Sequence, residues 1–108
     1  MKGVVQMEYT RNEDADALFE GIMSLNTVEE FYKFFEDICT YKELNALAQR
    51  FLVARRLSEG KNYIDVSEDT GASSATICRV NKCLRYSDGY RMVLERIKNK
   101  EKEQNDAT

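Results

Sequence analysis

Small and apolar residues recur between positions 63 and 82 at the spacing that two short helices joined by a tight turn require. They are Val66, Thr70, Ala72, Ile77 and Val80. Gly71 falls where the turn would be, and glycine takes a positive φ there without the steric cost of a side chain. The pattern predicts a helix-turn-helix over about residues 63–84, with an ordinary turn between bundle helices as the alternative. Double-stranded DNA is therefore the first partner to test.

The composition favours an all-α fold. The 108 residues include no proline, no tryptophan and only five glycines, and long stretches consist of good helix formers such as Leu, Ala, Glu, Lys and Arg. We expect a single helical domain over residues 13–98, a flexible arm at residues 1–12 and a polar, fraying tail at residues 99–108. Because a chain this short buries limited surface by itself, we also expect a homodimer.

Capping signals and apolar stripes divide the chain into helices. A first helix is expected from Glu13 to Leu25, and Gly60 is a natural end for the third. The expected helix caps are Thr27, Thr40, Asn62, Ser73 and Ser87, with Glu30 and Glu43 completing capping boxes. The residues expected to face inward are Phe31, Phe34, Phe35 and Ile38; Leu44, Leu47, Phe51, Ala54 and Leu57; and Tyr90, Val93, Leu94 and Ile97.

Charge is distributed unevenly along the chain. The net charge of −3 argues against a generic nucleic-acid binder, but residues 72–100 carry seven Lys or Arg against two acids. Residues 1–39 carry nine acids and three bases, so this part would repel phosphates. The segregation is what a DNA-binding face requires, and two solvated helix faces are the alternative interpretation.

Several other classes of function have little support. No histidine is present, so the cysteines lack the usual partner for a zinc site or a thiolate nucleophile. We interpret Cys39, Cys78 and Cys83 as reduced, semi-buried residues and expect no metal, no cofactor and no enzymatic activity. No apolar run approaches the roughly 20 residues that a membrane span needs, and no secretory signal is evident, so a cytoplasmic location is expected.

From Leu44 to Leu84 the chain resembles the Trp repressor family, and as a whole it looks like the YerC/YecD-type branch of that family. The matching residues are Thr40, Ala46-Leu47, Arg50, Gly60, Thr70-Gly71-Ala72, Ala75-Thr76-Ile77-Cys78-Arg79, Asn81 and Leu84. The resemblance implies an intertwined all-helical homodimer that presents two recognition helices to successive major grooves of a palindromic operator. A separation of about 34 Å between these helices would match one turn of B-DNA.

The second helix of the predicted motif supplies the candidate DNA contacts. Ser73, Ser74 and the free amides of its first turn suit a phosphate, although Ser73 has a simple helix cap as its alternative role. Ala75 and Thr76 are placed to meet base edges or a thymine methyl. Arg79 is expected to strengthen specific binding, while Lys82 and Arg85 grip the DNA backbone.

The resemblance also implies a corepressor site between the long helix and the recognition helix, held by Thr40, Arg50 and Arg79. Here the family's glycine after the second arginine is Val80, whose side chain would fill the slot, and a ligand-contacting serine is Cys83. We therefore expect a vestigial pocket without useful tryptophan affinity. The alternatives are an ion pair of Arg50 with Glu43 or Glu59 and a phosphate contact for Arg79.

Together these observations predict a homodimeric, sequence-specific transcriptional regulator, most simply a repressor that occludes a promoter. The alternative function is a protein-interaction adaptor in which the helix-turn-helix is only a scaffold. Its support is the overall acidity and the aromatic cluster of Phe31, Phe34 and Phe35. Burial of these phenylalanines in a dimer would count against the adaptor.

Overall fold

The computed structural model describes residues 11–107, which form six α-helices and no strand. The helices are α1 (Glu13–Met23), α2 (Val28–Ile38), α3 (Tyr41–Ser58), α4 (Tyr63–Thr70), α5 (Ser74–Tyr86) and α6 (Gly89–Ala107). The all-α prediction is confirmed. Contacts group the chain into an N-terminal unit up to Asn45 and a C-terminal unit from Ala46, so the boundary falls inside α3. One domain over residues 13–98 stays a prediction.

Local hydrogen bonds explain where most helices begin. Thr40 and Glu43 form the expected reciprocal capping box, since Thr40 N–H donates to Glu43 Oε1 at 2.8 Å and Glu43 N–H donates to Thr40 Oγ1 at 3.1 Å. Thr27 caps α2, but Glu30 accepts the N–H of Asn26 instead of that of Thr27. Sequence-local chemistry is sufficient to position both helix starts.

The C-terminal end of the chain differs from the sequence prediction, while the flexible arm at residues 1–12 stays a prediction. Residues 1–10 of the predicted arm lie outside the described residues, whereas Asn12 caps α1 by accepting the N–H of Ala15 at 2.7 Å. At the other end, the predicted fraying tail is helical as far as Ala107. An ion pair of 3.3 Å between Arg55 of α3 and Glu101 of α6 accompanies this extension. Such a contact between distant residues has no local sequence signal.

Ser87 does not cap α6 as predicted. It ends α5, because its backbone N–H donates to the Cys83 carbonyl at 2.9 Å. The guanidinium of Arg91 then donates to the Ser87 carbonyl and, at 2.8 Å, to Asp88 Oδ1. A side chain from the first turn of α6 thus hydrogen-bonds to both residues that connect α5 to α6.

The buried core lies within the C-terminal unit. It consists of Val53 and Ala54 of α3, Val66 of α4, Ala72 of the turn, and Ile77 and Val80 of α5. Leu57, Leu84, Tyr90 and Leu94 pack around it. The inward positions predicted for α4 and α5 are therefore confirmed, while Val53 was missed.

Four residues predicted to face inward are exposed: Phe31 and Ile38 of α2, Leu47 of α3 and Val93 of α6. Leu47 keeps 46% and Val93 keeps 40% of its surface exposed. Helical periodicity identifies an apolar stripe, but it does not reveal how much of that stripe a single chain covers. In the N-terminal unit, the single chain covers neither apolar stripe fully, since α1 and α2 contain no buried residue.

Candidate nucleic-acid interface

The turn between α4 and α5 has the geometry for which the sequence provides glycine. Gly71 adopts φ +72° and ψ 9°, the left-handed region, and its N–H donates to the Ser67 carbonyl at 2.8 Å. An added Cβ would meet only Gln49 Nε2, at 4.0 Å. Glycine is therefore favoured here by its backbone conformation and not by lack of space.

Side-chain hydrogen bonds hold this turn on both sides. The Thr70 hydroxyl donates to the Val66 carbonyl at 2.7 Å and accepts the N–H of Ala72 at 3.1 Å. From α3, Gln49 Nε2 donates to the Thr70 carbonyl at 3.1 Å. The turn is consequently tied to the long helix as well as to α4, and the start of α5 is placed by these bonds.

Ser73 caps α5 as predicted. Its Oγ accepts the N–H of Thr76 at 3.1 Å and donates to Thr76 Oγ1 at 3.2 Å, and its carbonyl accepts the N–H of Ile77 at 3.0 Å. The amides of Ser74 and Ala75, like those of any first helical turn, have no intrahelical acceptor. Thr76 is half-buried, and because Ser73 engages its hydroxyl, its methyl group is the part left for an apolar contact.

One face of α5 is exposed along the helix at spacings of four, three and four residues. It contains Ala75, Arg79, Lys82 and Tyr86, flanked by Ser74, Cys78 and Arg85, all of which are exposed. The sequence prediction omitted Tyr86, which keeps 64% of its surface exposed, and expected Cys78 to be semi-buried. The helical spacing from Ala75 could have identified both.

The cations on this face are uncompensated. Arg79, Lys82 and Arg85 form no ion pair with any residue between 11 and 107, whereas Arg55, Arg56 and Arg91 each pair with a carboxylate. An arginine or lysine without an internal partner keeps its charge available for an external anion. The predicted basic segment therefore forms a basic surface on α5.

The predicted corepressor residues are divided between the two units. Thr40 belongs to the N-terminal unit, while Arg50, Arg79, Val80 and Cys83 belong to the C-terminal unit. Val80 is 1% exposed and part of the core, so its side chain is committed to packing. The proposed partners of Arg50 are engaged elsewhere: Glu59 pairs with Arg55 and Arg56, and Glu43 caps α3.

Tyr90 of α6 is influenced by the members of this group that belong to the C-terminal unit, although the sequence prediction treated it only as a packing residue. Burial is the largest cause that raises the pKa of Tyr90, and Cys83 raises it further, while the positive charges of Arg50 and Arg79 act to lower it. The phenol is thus within electrostatic reach of one side chain from α3 and two from α5. It stays neutral at physiological pH.

The cysteines are free thiols in different environments. Cys39 and Cys83 are half-buried, whereas Cys78 is exposed, so the prediction that it is semi-buried is wrong. Among residues 11–107, no three His, Cys, Asp or Glu side chains are grouped as metal ligands would be. Within the same range, none of the helices has the length and apolarity to cross a membrane.

Comparison with known proteins agrees with the all-α fold. The sequence model of the Trp repressor protein family matches residues 13–98. The uncharacterized protein YerC of Bacillus subtilis (strain 168) is 48% identical over 100 residues, which cover 92% of this chain and 96% of YerC.

Two solved structures are also similar. A TrpR-like protein from Eubacterium eligens ATCC 27750 superposes with a TM-score of 0.78 at 49% identity, covering 81% of this chain and 91% of that protein. A candidate Trp repressor from Staphylococcus aureus gives a TM-score of 0.79 at 40% identity, covering 82% and 89%. The chain therefore belongs to the Trp repressor family, a family of DNA-binding regulators.

Proposed function

We propose that this protein is a sequence-specific DNA-binding transcriptional regulator in which α4, the Gly71 turn and α5 form a helix-turn-helix. The observation that carries the proposal is the uncompensated basic face of α5, which begins at a capped turn tied to α3 and α4. A helix of this kind fits the major groove and presents its first turns to base edges. The simplest mode of action is repression by occluding a promoter, in the cytoplasm of bacteria such as those that encode the relatives.

Each exposed residue of α5 has a distinct role in this proposal. The amides of Ser74 and Ala75, with the Ser73 and Ser74 hydroxyls nearby, receive a phosphate at the positive end of the helix dipole. Ala75 and the Thr76 methyl contact thymine methyl groups, and Arg79 reaches a base edge or a phosphate. Lys82 and Arg85 neutralise backbone phosphates and so supply affinity without sequence discrimination.

The proposed active form is an intertwined homodimer on a palindromic operator. Its support is the N-terminal unit, in which α1 and α2 have no buried residue although they carry several large apolar side chains. Helices with such faces gain stability when a second copy covers them. Two-fold symmetry would then present two copies of α5 to two half-sites, and the binding energies of the half-sites would combine.

We propose that the regulator does not use tryptophan as a corepressor. Val80 supports this, because a buried valine side chain stands where the family resemblance implies an open slot, and Cys83 is a weaker hydrogen-bonding group than serine. Titration calorimetry of the protein with L-tryptophan should detect no binding at micromolar concentrations. Micromolar affinity would show that the slot remains open and would contradict this part of the proposal.

A second candidate function is a protein-interaction adaptor. One observation favours it: Phe31 keeps 38% of its surface exposed in the single chain, and Phe34 and Phe35 are only half-buried. Phe35 contacts the other two rings: its centroid lies 5.6 Å from that of Phe34, edge to face, and 6.5 Å from that of Phe31. The same surface suits a homodimer interface, so DNA selection must separate the two functions.

The test is recovery and sequencing of genomic DNA fragments bound by the purified protein at about 150 mM salt, where nonspecific phosphate attraction is weakened. We expect a shared palindromic site among the recovered fragments. The matched control is the Arg79→Ala, Lys82→Ala double variant, which retains the core and the caps but should recover no shared site. Random fragments from the wild-type protein would contradict sequence-specific regulation and favour the adaptor.

A further inference from the structure

We propose that Tyr90 is a positioning residue that holds α5 in its DNA-binding orientation without any added ligand, by filling the junction of α3, α5 and α6 with its own ring. The inference rests on the proposed DNA-binding function and deepens it, since it concerns how that function is controlled. It predicts a regulator that binds DNA without an added ligand, because the Tyr90 ring is part of the chain itself.

The first support is packing. Tyr90 is half-buried and lies against the core cluster that contains Val80 and Ile77 of α5 and Val53 of α3. On its other side α5 packs against α4, and that side is already held by the hydrogen bonds around Gly71. Tyr90 is therefore the aromatic side chain of α6 that braces the remaining side of α5.

The second support is charge. Arg50 and Arg79 have no carboxylate partner among residues 11–107, unlike the paired arginines Arg55, Arg56 and Arg91. Both cations act to lower the pKa of the Tyr90 phenol and Cys83 acts to raise it, so the hydroxyl is within electrostatic range of side chains of α3 and α5. The neutral phenol adds no further charge beside these two cations.

The third support is that Tyr90 acts through its ring and not through its hydroxyl group. Within the described residues the Tyr90 hydroxyl has no hydrogen-bond partner, so its contribution comes from the ring. A ring carried by the chain is always present at its site, and no ligand concentration limits the competent population. Loss of the ring should leave a cavity and allow α5 to populate other orientations.

The experiment measures the affinity of full-length variants for the operator recovered in the genomic selection. Tyr90→Ala should weaken binding at least about tenfold, as expected when the competent state is no longer the dominant one. Tyr90→Phe should stay within about threefold of wild type, because it keeps the ring. Tyr41→Ala makes the same substitution at a side chain that is 83% exposed, and it should leave the affinity unchanged.

Chemical rescue separates positioning from general stability. Millimolar p-cresol should restore much of the affinity of Tyr90→Ala, since an apolar cavity can bind a small aromatic molecule, and it should not change the wild type. Urea unfolding of each variant shows whether it is folded in the assay. If Tyr90→Ala is unfolded, Tyr90→Leu, which retains apolar packing without the aromatic ring, takes its place in the affinity measurement, and the rescue experiment is confined to Tyr90→Ala.

The outcomes distinguish this inference from the function on which it rests. Wild-type protein that binds no specific DNA would overturn the proposed function and this inference with it. Specific wild-type binding, together with a folded alanine or leucine variant of undiminished affinity, would overturn the inference alone. So would a loss of affinity that p-cresol cannot restore, because it would indicate a structural role without positioning.

Discussion

The two units of this chain differ in how many residues each buries in a core of its own. The C-terminal unit encloses six buried residues contributed by α3, α4, the turn and α5, whereas α1 and α2 of the N-terminal unit enclose none. Their charges differ as well: residues 72–100 are strongly basic and residues 1–39 strongly acidic. Under the proposed function, the C-terminal unit carries the DNA-binding surface, and the N-terminal unit presents the apolar faces that a second copy would cover.

The largest expected effect comes from placing a charge on the uncovered face. Phe34→Asp should dissociate the homodimer, because a desolvated aspartate at a hydrophobic interface costs at least about 2 kcal/mol. Operator affinity should fall by at least about 100-fold, since a monomer contacts one half-site. Analytical ultracentrifugation gives the mass, and far-ultraviolet circular dichroism shows whether the C-terminal core remains folded.

Lys33→Asp is the matched control because it introduces the same group one residue earlier on α2, at an exposed position. It should leave the dimer intact. If Phe34→Asp remained dimeric with unchanged DNA affinity, the N-terminal unit would have some other partner, and the adaptor function would gain support.

A smaller effect, on the free energy of unfolding, is expected for a substitution inside the C-terminal unit. Gly71→Ala should lower the free energy of unfolding by about 1–2 kcal/mol, because a side chain is strained at φ +72°. Gly89→Ala is the control in the same unit: it has no positive φ and open space around its Cβ position, so it should not destabilise. Equal urea midpoints for the two variants would show that the turn tolerates a side chain.

The smallest effect, on the salt dependence of DNA affinity, is expected from removing single charges in the basic and acidic segments. Lys82→Ala should weaken binding to all DNA sequences similarly and reduce the slope of log affinity against log salt by about 1, as expected for one lost phosphate contact. Lys33→Ala removes the same charge from the acidic unit and should not change the slope. Fluorescence anisotropy across a salt series measures both, and identical slopes would remove Lys82 from the interface.

Local chemistry made much of the fold predictable. The caps at Thr27, Thr40, Asn62 and Ser73 depend on a side chain and an amide only three residues apart, so they can be identified from sequence alone. Ser87 was assigned wrongly because it and Asp88 are adjacent candidates for one helix start. Which of them could cap α6 depended on where α5 ends. In the structure α5 ends at Ser87, and the Arg91 guanidinium donates to the Ser87 carbonyl and to Asp88 Oδ1.

The candidate site was predictable to the level of one helix. Periodicity placed Ile77 and Val80 inward and left Ala75, Arg79 and Lys82 outward, as observed. It did not link Tyr90 to this site, because the electrostatic influence of Arg50 and Arg79 on the Tyr90 phenol joins three helices that are separated in sequence. Exposure of Cys78 was missed for a simpler reason, since the small, apolar thiol was assumed to be buried.

The sequence by itself determined the helices, their caps, the glycine turn and the segregation of charge, because each depends on groups a few residues apart. Only the tertiary structure decided that α6 continues past Lys98 beside α3, that Val53 enters the core while Leu47 and Val93 do not, and that α1 and α2 remain uncovered. These outcomes depend on which faces meet across long sequence separations, where burial and ion pairing outweigh local preference.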